Sequence, residues 1–91
     1  MRVISGKYRG KRLFAPEGKF VRPTTDRIKE TVFNILSSKN DFEGAYILDL
    51  FAGSGALGIE ALSRGAKSAV FIDNSAESVK YIRANLANVG I

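Results

Sequence analysis

The sequence predicts an α/β chain built on a doubly wound parallel sheet, and three observations lead there. Two apolar runs, residues 45–51 and 67–73, read as strands, with Asp49 near the end of the first and Asp73 closing the second. Each run is followed by a stretch with helical periodicity. The join between the first strand and its helix, Gly53-Ser54-Gly55-Ala56-Leu57-Gly58, is rich in glycine. The order β-α-β-α with short connections implies right-handed parallel crossovers.

Residues 2–5 and 11–15 are short β-prone stretches with Gly6-Lys7-Tyr8-Arg9-Gly10 between them, which suits a hairpin. Pro16, Gly18 and Pro23 keep the next segment extended, and Pro23 biases Arg22 away from helix. A helix is expected from about Thr25. In it Ile28, Val32, Ile35 and Leu36 recur as one apolar face assigned to the core, and Thr24, Thr25 or Asp26 cap the first turn. Residues 37–44 read as a loop. The run 45–51 is apolar on both faces, as a central parallel strand requires. The helix 55–63 stops at Gly65. The helix 75–87, with Val79, Ile82 and Leu86 on one face, is capped by Asn74 or Ser75 and ended by Gly90. The expected division is a basic hairpin extension over residues 1–22 and a nucleotide-binding unit over 23–91.

Two strands and their helices do not bury both faces of such a sheet. The chain therefore reads as the N-terminal part of a longer protein, with self-association of the open sheet as the competing reading. At 45% hydrophobic and 25% charged residues the composition is globular. The chain has neither cysteine nor histidine, which removes thiol chemistry and the commonest general base and metal ligand, so no metal is expected. No apolar run approaches the ~20 residues that span a bilayer, and the chain reads as cytoplasmic. The net charge of +5 is unevenly spread. Residues 1–40 hold ten basic and three acidic side chains, a net of +7, and residues 41–91 four and six, a net of −2. A basic arm on a mildly acidic body suits an anionic macromolecular partner engaged at one end.

The glycine turn satisfies G-x-G-x-x-G with Asp73 about twenty residues on, the pattern of a dinucleotide site. An NAD-dependent oxidoreductase is therefore a rival reading. Against it, about 44 residues precede the strand, and Asp49 would stand near an anionic pyrophosphate. S-adenosylmethionine carries a sulfonium and an ammonium and no phosphate, so Asp49 favours it, while Asp73 is placed to accept from the ribose hydroxyls. Each of these residues also has a purely structural use. Gly53 and Gly55 permit a tight turn, Gly58 permits close helix–strand packing, Asp73 can cap the next helix, and Phe51 and Phe71 suit core positions.

Three blocks resemble one family, the RsmD-like methyltransferases that modify a guanine exocyclic amine in small-subunit ribosomal RNA. They are the run from Arg2 to Leu13, the run Arg22-Pro-Thr-Thr-Asp-Arg through Leu36, and the run from Asp49 to Gly65. The middle block is the most specific. The resemblance implies a Rossmann-like class I S-adenosylmethionine-dependent methyltransferase fold, here its first strands and helices, preceded by a β-hairpin. It implies cofactor contacts from Asp49, Phe51, Ala52, Gly53, Ser54, Gly55, Asp73 and Asn74. It further implies ribosomal RNA or the small ribosomal subunit as partner, met by Arg2, Lys7, Arg9, Lys11, Arg12 and Arg22 with Tyr8 stacking on a base. Thr24, Thr25 and Asp26 are candidates for the pocket wall. The family's Asn/Asp-Pro-Pro-Tyr/Phe tetrapeptide, which orients the target amine, does not occur, since Pro16 and Pro23 are the only prolines. Catalytic residues are expected beyond Ile91, and the 91 residues alone are expected to be inactive. A non-catalytic RNA-binding module and a DNA amino-methyltransferase remain as further alternatives.

Overall fold

The computed structural model describes residues 1–14, 26–38, 41–50 and 52–91. Arg22, Thr24, Thr25 and Phe51, and the expected boundary between residues 22 and 23, lie outside the described residues. The elements run α1 (Asp26–Ser37), β1 (Tyr46–Leu50), α2 (Ala56–Ser63), β2 (Ser68–Ile72) and α3 (Ala76–Val89). The two strands pair in parallel, from Tyr46 opposite Ser68 to Leu50 opposite Ile72, so the alternating β-α-β-α expectation holds. No helix among the described residues is long and apolar enough to cross a membrane.

Alternation along the strands sorts their side chains. Ile47 and Asp49 on β1, and Ala69 and Phe71 on β2, point to the side that the helices cover. Tyr46, Leu48 and Leu50, with Val70 and Ile72, lie exposed on the other side. Helix α2 is the hub. Ile59 and Glu60 are fully buried, and Gly58 lies so close to Phe71 that a Cβ there would sit 2.3 Å from the ring. The first core cluster joins Val3 and Leu13 of the N-terminal arm to Ala56, Ile59 and Val89. The second joins Phe33 of α1 to Ala61 and Ala66.

Helix α1 departs from the sequence reading. Ile28, Val32, Ile35 and Leu36, assigned to the core by their spacing, are 37–56% exposed, and Lys29 and Phe33 face the body instead. The physical reason is chemical complementarity. Phe33 packs against Phe42 with ring centroids 5.2 Å apart, and Lys29 finds a buried carboxylate in Glu60, 3.4 Å away. A buried charge is tolerated only when it is paired.

The expected hairpin is also reduced, to a single antiparallel bridge between Arg2 and Arg12. Its ladder stops because side chains of the body take over the backbone groups. The Glu60 carboxylate accepts from Ile4 N–H at 2.9 Å and Ser5 N–H at 3.1 Å. The carboxamide of Asn85 accepts from Phe14 N–H at 2.6 Å and donates to Phe14 C=O at 2.8 Å, as a neighbouring strand would.

Candidate cofactor turn and nucleic-acid arm

The turn after β1 is fixed almost wholly by backbone and carboxylates. Gly55 occupies the N-cap of α2 in the left-handed region (φ 82°), where other residues are strained, and offers no side-chain cap. Asp49 caps from the strand below, its Oδ2 accepting from Gly58 N–H at 3.1 Å. Asp73, just beyond β2, holds the turn from the other side. Its Oδ2 accepts from Gly53 N–H and its Oδ1 from Ser75 N–H, both at 2.9 Å. Ser75, rather than Asn74, caps α3, its hydroxyl accepting from Ser78 N–H.

The two acids are tuned in opposite directions. Burial pushes the Asp49 carboxyl above its ordinary value, against the Gly58 N–H and with help from the nearby Asp73 charge. The Gly53 and Ser75 N–H groups hold Asp73 below its ordinary value. Asp73 is the better anion and Asp49 the more deeply set one.

Of the expected cofactor residues, the described set Asp49, Ala52, Gly53, Ser54, Gly55, Asp73 and Asn74 gathers at the carboxyl ends of the parallel strands, where open α/β sheets bind ligands. Ser54 is buried and its carbonyl accepts from Asn85 Nδ2 at 2.8 Å, while a Cβ built on Gly53 would meet none of the described residues within 4 Å. The turn is thus backed by the body at Ser54 and open at Gly53. No basic residue occurs between 41 and 63. That donor set, backbone groups plus two carboxylates, fits a cationic, phosphate-free cofactor, and residues 41–63 supply no countercharge for a pyrophosphate.

The arm lies along α2, which is about 12 Å long at 1.5 Å per residue. Its tip is pinned at the C-terminal end, where Lys7 N–H donates to Ser63 C=O at 2.7 Å and Tyr8 N–H to Ser63 Oγ at 2.9 Å. Its base lies toward the N-terminal end, where Phe14 is one carboxamide from Ser54. The basic residues are therefore spread, Arg2 and Arg12 near the turn and Lys7 and Arg9 at the far end of the helix. All of them and Lys11 are exposed. Tyr8 is half-buried and packs on the first core cluster, with the Lys7 ammonium 5.6 Å from its ring centroid. Asp26 accepts from Arg2 N–H at 3.0 Å, so it ties α1 to the arm.

Three residues that matter here were not singled out from the sequence. Lys29, Glu60 and Asn85 are fully buried polar side chains, each joining the arm to a helix. Burial pushes the Lys29 ammonium below its ordinary value although Glu60 works against this. A signal did exist. Asn85 sits within an apolar stripe between Ile82 and Val89, Lys29 lies one turn before Phe33, and Glu60 has apolar sequence neighbours in Ile59 and Ala61.

This geometry is that of part of a Rossmann-like methyltransferase fold. Superposition supports the class. A hypothetical protein of Thermus thermophilus matches all of the chain over 51% of its own length, at 35% identity and a TM-score of 0.85. The protein described as putative methyltransferase yhhF of Escherichia coli matches 96% of the chain over 46% of its own, at 47% identity and a TM-score of 0.79. The chain belongs to the family described as conserved hypothetical protein 95, the RsmD family, which matches residues 1–91. Among curated relatives it is 49% identical over 86 residues to the putative rRNA methyltransferase YlbH of Bacillus subtilis, covering 94% of this chain and 46% of that one. It is 45% identical over 89 residues to ribosomal RNA small subunit methyltransferase D of Escherichia coli, covering 98% and 44%. The chain thus spans somewhat under half the length of these relatives.

Proposed function

We propose that this chain is the cofactor-binding and RNA-engaging part of an S-adenosylmethionine-dependent enzyme that methylates a guanine exocyclic amine in small-subunit ribosomal RNA. The observation that carries the cofactor reading is the pair of carboxylates about a glycine turn, in a stretch (residues 41–63) that contains no basic residue. Asp73 accepts from the ribose hydroxyls with the oxygen lone pairs left beside its two backbone contacts. Asp49 would supply negative potential toward the cofactor's cationic groups, and the backbone of Ala52, Gly53, Ser54 and Gly55, with Asn74, would hold it. When bound, the cofactor supplies an electrophilic methyl group. The residues of this chain bind and orient it, and the groups that position the target amine are assigned to sequence beyond Ile91.

The substrate reading rests on the basic arm and on the names of the relatives. Titration calorimetry of the full-length protein with S-adenosylmethionine and with NAD tests the cofactor; binding of NAD alone would overturn it. Transfer of labelled methyl to small-subunit ribosomal RNA tests the reaction. RNA binding without transfer would leave a non-catalytic module as the function.

A further inference from the structure

We propose that Arg2 and Arg12 act together as a clamp for one backbone phosphate of the bound RNA, beside the cofactor turn. This rests on the RNA reading above and adds the place and stoichiometry of a contact. The two residues stand directly opposite each other across the arm's bridge. The flanking bonds, Val3 N–H to Lys11 C=O and Leu13 N–H to Met1 C=O at 2.9 Å each, make them a non-hydrogen-bonded pair, the arrangement in which side chains are closest. Like charges so placed repel. Every ion pair found among the described residues involves Lys29 or Arg64, and neither Arg2 nor Arg12 has an acidic partner there.

The fold nonetheless grips both arginines by their backbones. Lys29 Nζ donates to Arg2 C=O at 2.5 Å, and Asn88 Nδ2 donates to Arg12 C=O at 2.7 Å. Two helices thus hold two cations face to face, an arrangement that an anion between them would stabilise. A cavity of about 390 Å³ lies there, lined by Met1, Arg2, Arg12, Leu13, Phe14 and Asp26. Its one carboxylate, Asp26, is occupied by Arg2 N–H and lies 4.0 Å from Lys29 Nζ. Planar guanidinium groups match phosphate oxygens bidentately, and the half-exposed Phe14 ring offers an apolar surface to the adjoining sugar or base. Phe14 is tied through Asn85 to Ser54, so a phosphate held here belongs to a nucleotide close to the cofactor turn.

The test is RNA binding by the full-length protein, read by fluorescence anisotropy with a small-subunit rRNA fragment over a range of salt. Arg2→Gln, Arg12→Gln, the double variant and Lys7→Gln at the arm's tip are compared. A shared phosphate makes the arginine effects non-additive, the double variant losing little more affinity than either single one. The slope of log Kd against log salt then falls by about one in the double variant. A fall of about two with additive losses, or no loss, overturns the clamp while leaving RNA binding intact. Failure of the unsubstituted protein to bind RNA overturns the function itself. Inorganic phosphate should compete weakly, and only where both arginines are present. Phosphate binding as tight as RNA binding would assign the pair to the free ion and overturn the proposal. Without RNA, Arg2→Gln should melt no lower than the unsubstituted protein, since it relieves repulsion; a marked fall would remove the premise.

Discussion

The two ends of helix α2 are built on opposite principles. From Glu60, midway along it, to Ser63 at its C-terminal end, the buried polar side chains are all paired. Glu60 takes two arm N–H groups, Lys29 and, at 2.9 Å, Arg64 Nε, and the Ser63 hydroxyl accepts from Tyr8 N–H and donates to Ser5 C=O. At its N-terminal end, about 12 Å from Ser63, the turn is held by backbone groups and carboxylates that keep lone pairs to spare, and a Cβ on Gly53 would meet no described residue within 4 Å. A saturated network fixes the position of the arm. An unsaturated one can take a ligand. The helix serves as the strut between them, which would keep the proposed RNA-binding arm at a set distance from the proposed cofactor turn.

Breaking the saturated end should have the largest effect. Glu60→Ala leaves the Lys29 charge and the Ile4 and Ser5 N–H groups without their partner, and a destabilisation of about 3–5 kcal/mol is expected, measured by denaturant melts. Asn85→Leu should follow at about 2–4 kcal/mol, because it strands the buried carbonyl of Ser54 and the part-buried backbone groups of Phe14. It should weaken both cofactor and RNA binding, since it frees the link between turn and arm. Gly58→Ala drives a methyl into the Phe71 ring and is expected to cost about 1–3 kcal/mol.

Changes at the open end should act on binding rather than on folding. Asp73→Asn is expected to weaken the cofactor by about ten- to a hundredfold through lost charge-assisted hydrogen bonds, with a small shift in melting temperature. The smallest effect is the pH dependence, in which the two acids differ in sign. Asp73, with a lowered pKa, contributes stability that is present above the ordinary 3.8 and lost as pH falls through its folded value. Asp49, with a raised pKa, imposes a cost that appears as pH rises from 3.8 through its folded value. Melts across acidic pH should show Asp73→Asn flattening the loss of stability below 3.8. Asp49→Asn should instead remove a fall above it. Identical profiles for the two variants would mean that the acids are not differently set.

The parallel β-α-β-α order, the glycine turn and both strand-end acids were legible from residue types and spacing alone. These are local properties: a strand is written in a run of six or seven residues, and a turn in its glycines. The family followed from local blocks for the same reason. What the chain could not announce was which polar residues would meet across long separations. Lys29 and Glu60 are 31 residues apart, and Phe14 and Asn85 are 71 apart. Apolar periodicity ranked Ile28, Val32, Ile35 and Leu36 above Lys29 for burial because hydropathy treats each side chain as if alone. Tertiary packing reversed that order, since a charge with a buried partner can sit inside and hydropathy alone does not carry an apolar residue there. The same packing replaced the hairpin's ladder with side-chain partners and set Arg2 and Arg12 face to face. Sequence determined the elements and the chemistry of the turn. Only the tertiary structure decided how the arm is attached, because that depends on partners the chain brings together only on folding.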